Sequence, residues 1–226
     1  MFNDLETFNR HVAHDLRGPI GSIGQLARLA TEALSRGDQS FVARALPVIA
    51  AQADDAVELL SAMLMLADDA NASLPMERVA AGAVVQAALD ALPASSARSH
   101  CRLVVGPLPE VRAHAALLRQ VFVNLLGNAM KFSQGRGRAV VLVGASTSRF
   151  EHVFRVRDYG VGFDPQSAQR LFLPFQRLHG AAFAGHGLGL SIARSIVERH
   201  GGRIWCHSQP GKGTTMLFAI PRRETD

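Results

Sequence analysis

The chain is short of cysteine, short of tyrosine and tryptophan, and without any long apolar run, and each shortage closes a class of explanation. Cys101 and Cys206 are its only cysteines. A single pair is too few for a disulfide framework, and it lacks the spacing of a zinc site, so both read as reduced packing residues. No stretch approaches the ~20 apolar residues of a membrane helix, and no basic start leads into an apolar run. Neither a membrane span nor a signal peptide is expected, and the expectation is a cytoplasmic protein. One Trp, one Tyr and a formal net charge of +5 spread along the chain offer no basic run and no aromatic platform, which argues against nucleic acid. Repeats and low-complexity segments are also absent. What remains is 226 residues, 48% of them hydrophobic, enough for one large or two small domains with real cores.

From about Leu5 to Leu34 apolar residues recur three and four apart. Ser35-Arg36-Gly37-Asp38 then supplies turn chemistry, and a second helical run extends from about Ser40 to Asp69. This predicts an antiparallel helical hairpin. Its apolar seam is long relative to the chain available to cover it, which predicts a homodimer closing a four-helix bundle. Gly18-Pro19 removes a backbone donor inside the first run and predicts a bend there. Asn71-Ala72-Ser73-Leu74-Pro75 breaks the period, placing a boundary between a hairpin over 1–70 and a second domain over 71–226. In that second part strand-like runs (76–79, 101–105, 139–145, 152–156, 203–206 and 214–220) alternate with helical ones (83–92, 115–132 and 188–200). Neighbouring strands without helices between them predict an α+β layer, a mixed sheet with helices on one face.

On the first helix Leu5, Phe8, Val12, Leu16, Pro19, Ile23 and Leu26 share a stripe, and His14 projects away from it. An exposed imidazole with a pKa near ~6.5 keeps a nucleophilic lone pair at neutral pH, and Asp15 could hold the other ring proton. His11 is equally exposed. On the helix over 115–132, Asn124, Asn128 and Lys131 fall on one face. Arg157-Asp158-Tyr159-Gly160-Val161-Gly162-Phe163 closes a strand with an acid and two glycines. Gly185-His186-Gly187-Leu188-Gly189-Leu190 opens a helix, where free amides and the helix dipole suit phosphate. Between them lies Leu171-Phe172-Leu173-Pro174-Phe175-Gln176-Arg177, and after them Gly211-Lys212-Gly213-Thr214-Thr215 turns between the last two strands.

These strings, in this order, resemble the boxes of the sensor histidine kinases over nearly the whole chain. His14-Asp15-Leu16-Arg17-Gly18-Pro19-Ile20 resembles the phosphoacceptor box and selects His14 over His11. Asn124 to Phe132 is similar to the N box, and the wording of the boxes is nearest to phytochrome-like members. The resemblance implies a dimerising phosphoacceptor hairpin followed by an α/β sandwich of the Bergerat ATP-binding type, shared with gyrase and mismatch-repair ATPases. It implies ATP-dependent autophosphorylation of His14 and transfer to an aspartate of a response regulator receiver domain. Mg²⁺ would be held through Asn128, and Lys131 with the amides around Gly187 and Gly189 would position phosphates, flanked by Phe132, Gly185 and Leu188. Asp158 would read the adenine amine beside Gly160, Gly162 and Thr214, and Arg177 would reach a terminal phosphate. Tyr159 stands where the family usually has Asn. Asn124 stands where the related ATPases carry a water-activating glutamate, and an amide is a poor base, which favours transfer over hydrolysis. The alternative is a histidine phosphotransfer adaptor without kinase activity, against which Asn128, Asp158 and the glycine boxes argue.

Overall fold

The computed structural model describes residues 20–67, 74–92, 101–133, 139–174, 176 and 187–222. His14, Asp15, the Gly18-Pro19 bend, Arg177 and Gly185 lie outside them. The chain divides into two compact units, Met1–Asp69 and Ala70–Asp226.

In the first unit, helix α1 (residues 20–35) and helix α2 (Gln39–Ala67) form a hairpin. Gly37 takes φ 77°, and the Asp38 N–H returns to the Ala33 carbonyl at 2.9 Å, the left-handed helix stop that favours glycine. Asp38 then caps α2, its Oδ1 accepting from the Phe41 N–H at 3.0 Å and the Ser40 hydroxyl at 2.8 Å. Those bonds, the Phe41 one foremost, hold its carboxyl below the usual aspartate value. Ala30 and Ala45 are buried, while Ile20, Leu29, Leu34, Leu46, Val48 and Val57 stay exposed.

The second unit is built on a five-stranded sheet of order β2-β4-β5-β7-β6, comprising β2 (Cys101–Val105), β4 (Ala139–Thr147), β5 (Glu151–Asp158), β6 (Arg203–Gln209) and β7 (Gly213–Pro221). β2 runs parallel to β4 and the remaining pairs are antiparallel, so the sheet is mixed, as expected. Helices α3 (Ala81–Ala91), α4 (Ala115–Phe132) and α5 (Gly189–Arg199) supply the other layer. Phe122 of α4 meets Phe154 and Phe218 edge-on at 5.7 and 5.4 Å, and those two sheet residues stack at 4.9 Å. All three are fully buried, and rings of this size contribute most of the apolar burial at the helix–sheet seam. On β5 the opposite face is exposed: Arg155 and Arg157 alternate with the buried Phe154, Val156 and Asp158.

Three features were not expected. A strand β3 (Glu110–Ala113) pairs antiparallel with β1 (Glu77–Ala80) in a separate two-stranded sheet. Residues Pro165–Phe172 form a 3-10 helix capped by the Asp164 carboxylate, which accepts from the Gln166 N–H at 2.9 Å. Helix α3 also begins at Ala81 rather than 83, its first N–H donating to the Pro109 carbonyl. Among the described residues no helix is long and apolar enough to cross a membrane.

Candidate functional site

Helix α4 is buried along Leu118, Val121, Phe122, Leu125, Leu126, Ala129 and Met130, which leaves Asn124, Asn128 and Lys131 on a half-buried stripe. Asn124 Oδ1 accepts from Gln120 Nε2 at 3.4 Å, but its Nδ2 is buried and meets no acceptor among the described residues. Leaving a buried donor unpaired costs about 1–3 kcal/mol, and this amide nitrogen is enclosed by the protein. Lys131 Nζ lies 4.7 Å over the ring of Phe132.

The end of β5 carries Asp158, 5% exposed. Its Oδ1 accepts two backbone N–H groups, Gly160 at 2.9 Å and Thr214 at 3.1 Å. Burial pushes this carboxyl above the ordinary aspartate value, and hydrogen bonds from the Gly160, Thr214 and Asp158 backbone N–H groups, with the nearby Arg157 charge, oppose that rise. Tyr159 turns outward, with the Arg157 guanidinium 4.7 Å over its ring.

The glycines here serve the protein's own backbone. A Cβ on Gly160 would sit 2.1 Å from the Phe132 carbonyl oxygen, one on Gly162 2.1 Å from that of Gln209, and one on Gly213 2.2 Å from that of Asp158. Val161 N–H reaches the Phe132 carbonyl at 3.2 Å, and Gly211 N–H reaches that of Val161 at 2.7 Å. Phe132, Asp158, Gly160, Gly162 and Thr214 are thereby drawn into one knot joining the end of α4, the end of β5 and the β6–β7 turn. Ser208, opposite Thr214 on β6, belongs to the same knot through its bond to the Phe163 N–H. Nothing in the linear sequence marks it, because its partners are 45 and 6 residues away.

Gly187 takes φ 76° before the fully buried Leu188, and α5 starts at Gly189 without a side-chain cap. The first amides of an uncapped helix are unpaired donors at the positive end of its dipole. An anion such as a phosphate fits there. Of the stretch from Leu171 to Arg177, Phe172 is buried and Leu173 exposed. Cys206 is half-buried and its thiol is pushed up to about 11 by burial, consistent with an inert packing residue.

Among the described residues no cluster of three or more His, Cys, Asp or Glu could hold a metal by itself. The single amide oxygen of Asn128 suits a hard cation that takes most of its ligands from phosphate and water.

Residues 113–224 match the family of histidine kinase-, DNA gyrase B-, and HSP90-like ATPases. The phytochrome-like protein Cph1 of Synechocystis is 34% identical over 230 residues, covering 96% of this chain and 29% of Cph1. The chain thus spans less than a third of that relative's length. Among solved structures, the mycobacterial sensor histidine kinase MprB is 26% identical with a TM-score of 0.57, covering 66% of this chain and 98% of MprB. Full-length ShkA in complex with AMPPNP shares the fold at 23% identity and a TM-score of 0.66, over 96% of this chain and 45% of ShkA. With the helical hairpin, the mixed sheet and these relatives in agreement, the chain belongs to the sensor histidine kinases as a catalytic core, its residues 113–224 forming the ATPase domain.

Proposed function

We propose that this chain binds ATP in the second unit, transfers the γ-phosphoryl group to His14, and passes it to an aspartate of a response regulator receiver domain. Residues 1–70 serve in this reading as the dimerising phosphotransfer hairpin and residues 71–226 as the ATP-binding domain. The observation that carries it is the buried Asp158 carboxylate, fixed through Oδ1 by two backbone N–H groups, a preset acceptor to which a ligand N–H can donate. An exocyclic adenine amine is a donor of the required kind.

The uncapped start of α5 at Leu188 and Gly189 receives phosphate oxygens, with Gly187 just before it and Gly185 and Arg177 earlier in the sequence as further phosphate-binding residues. Lys131 adds positive charge from α4. Asn128 would hold Mg²⁺, which when bound neutralises phosphate charge. Asn124 is a poor base, which favours the imidazole over water as the acceptor. A ring nitrogen of neutral His14 attacks the γ-phosphorus, the bond to the β,γ-bridging oxygen breaks, and ADP departs with that electron pair. Asp15 holds the second ring nitrogen through its proton and stabilises the cationic phosphoimidazole as it forms.

The exposed Ile20, Leu29, Leu34, Leu46, Val48 and Val57 of the hairpin support association of two copies, which would remove that apolar surface from water. The ShkA complex with AMPPNP supports an adenine nucleotide as ligand. Incubation with γ-labelled ATP tests the whole reading. The label is expected on protein, stable in base and lost in acid, as for a phosphoramidate, and absent from His14→Gln with ATP affinity nearly unchanged. Labelling retained in His14→Gln, or moved to His11, removes His14 from the scheme. ATP binding with no phosphoprotein in the wild type revives the adaptor.

A further inference from the structure

Ser208 has no slack in its hydrogen bonding. A serine hydroxyl has one proton to donate and two lone pairs to accept with. Its Oγ accepts from the Phe163 N–H at 2.9 Å, lies 3.1 Å from the Gly213 carbonyl oxygen and lies 2.9 Å from Thr214 Oγ1. A carbonyl can only accept, so the Ser208 proton goes to Gly213. The Thr214 contact then has a single solution, in which the Thr214 hydroxyl donates to Ser208. With its proton spent, Thr214 Oγ1 has only lone pairs left to offer. Asp158 lies beside it, its Oδ1 already holding the Thr214 N–H at 3.1 Å.

We propose that Ser208 is a positioning residue that sets the polarity of the base-reading site, making Thr214 an obligate acceptor and pairing it with Asp158 as a two-acceptor reader of a ligand amine. This rests on the nucleotide reading given above and adds what that reading leaves open, the direction of the Thr214 hydroxyl. A base with an exocyclic amine at this position offers an N–H to an acceptor. A purine lacking the amine faces lone pairs with nothing to donate, and the desolvated acceptors go unpaired. Without Ser208 the Thr214 hydroxyl is free to turn and donate to a ring nitrogen, so the site loses its preference while keeping its shape. The knot around Ser208 explains why the hydroxyl can be held this firmly. Gly162 and Gly213 pack directly on neighbouring carbonyls, fixing both the loop that carries Phe163 and the turn that carries Gly213.

The test is calorimetric titration of the full chain with ATP and with purine riboside triphosphate, which differs by loss of the 6-amine. Wild type is expected to favour ATP by about tenfold or more, the worth of a hydrogen bond to a charged group. Ser208→Ala is expected to narrow that ratio by about three- to tenfold, and Ser208→Thr, which keeps a hydroxyl, to restore it. In a Thr214→Val background Ser208→Ala should leave the ratio where it is, because no hydroxyl remains to redirect. Should Ser208→Ala fail to fold, Ser208→Cys gives the same comparison, a thiol being a weak acceptor. Equal weakening of both nucleotides with the ratio intact would show Ser208 to be scaffold only and overturn the proposal. A wild-type ratio of one with firm ATP binding overturns the acceptor pair and spares the nucleotide site. No ATP binding by the wild type removes the nucleotide reading itself, and this proposal with it.

Discussion

His200 at the end of α5 accepts the backbone N–H of His114 through Nε2 at 3.1 Å, and its Nδ1 lies 2.7 Å from the Ile196 carbonyl oxygen. The carbonyl requires a proton on Nδ1 and the N–H requires a lone pair on Nε2, so the ring is neutral in one tautomer. His114 in turn caps α4, its Nδ1 accepting from the Leu117 N–H at 3.4 Å. One imidazole thus ties the end of α5 to the start of the helix that carries Asn124 and Asn128.

Burial pulls His200 below the ordinary histidine value of 6.5; the Ile196 bond acts against this, and the charges of His114 and Arg199 add to it. A depressed folded pKa means the unfolded chain takes up the proton first as pH falls. The stability this ring contributes is therefore whole above pH 6.5 and is lost as pH falls through the folded value. Thermal denaturation of the full chain between pH 7.5 and 5 should show Tm declining, with a shallower decline in His200→Gln. Parallel slopes in the two proteins would remove His200 as the cause.

Gly213→Ala should be among the most damaging single changes in the second unit. It puts a Cβ 2.2 Å from the Asp158 carbonyl oxygen at a backbone φ of 90°, and a loss of more than about 2 kcal/mol is expected. Gly82→Ala is the control, since a Cβ there meets nothing within 4 Å and the residue lies in α3. That change should be neutral or stabilise by about 0.5 kcal/mol. Urea unfolding of the two variants measures both.

Asp158→Asn and Asn128→Asp should fail in different ways. At 158 the amide can keep its oxygen on the Gly160 and Thr214 N–H groups only by turning its NH₂ toward the ligand, where an acceptor is wanted. ATP affinity should drop by roughly 1–3 kcal/mol, while Asn128→Asp should chiefly disturb Mg²⁺ dependence and turnover. Wild-type affinity in Asp158→Asn, measured calorimetrically, would remove the base-reading role.

The residue four positions after His14 is Gly18, which has no side chain with which to orient a water. Members of the family that dephosphorylate their regulator commonly carry Thr or Asn there. This chain should accordingly show little phosphatase activity toward a phosphorylated regulator, with or without ADP. Rapid loss of phosphate in the presence of His14→Gln, where back-transfer is impossible, would contradict this.

Helix α4 was legible to the residue, Ala115 to Phe132, because its apolar period is long and its polar stripe unbroken. β2 was equally plain at Cys101–Val105, a run flanked by polar chain. β3 was not, since its four residues Glu110–Ala113 follow Pro107 and Pro109 and gain strand geometry only from pairing with β1. α2 runs straight through Pro47, where the apolar period outweighs one missing backbone donor. Asp158 could be singled out by its place before two glycines. That those glycines answer to neighbouring carbonyls, and that Ser208 completes the cluster, depends on cross-strand register, which a linear pattern does not carry.

The sheet also implies an order of assembly. Two of its antiparallel pairs close through short turns, three residues between β4 and β5 and three between β6 and β7, and such local pairings form early at small entropic cost, whereas β5 and β7 join the two hairpins across a longer stretch of chain. β2 is different. It lies at the edge, and its parallel partner β4 follows only after β3 and α4 have been traversed, a long loop to close before any ladder bond repays it. Paired on one side only, Cys101–Val105 should open early in the native protein. Amide hydrogens of β2 should exchange sooner than those of β5 and β7, whose ladders are enclosed on both sides.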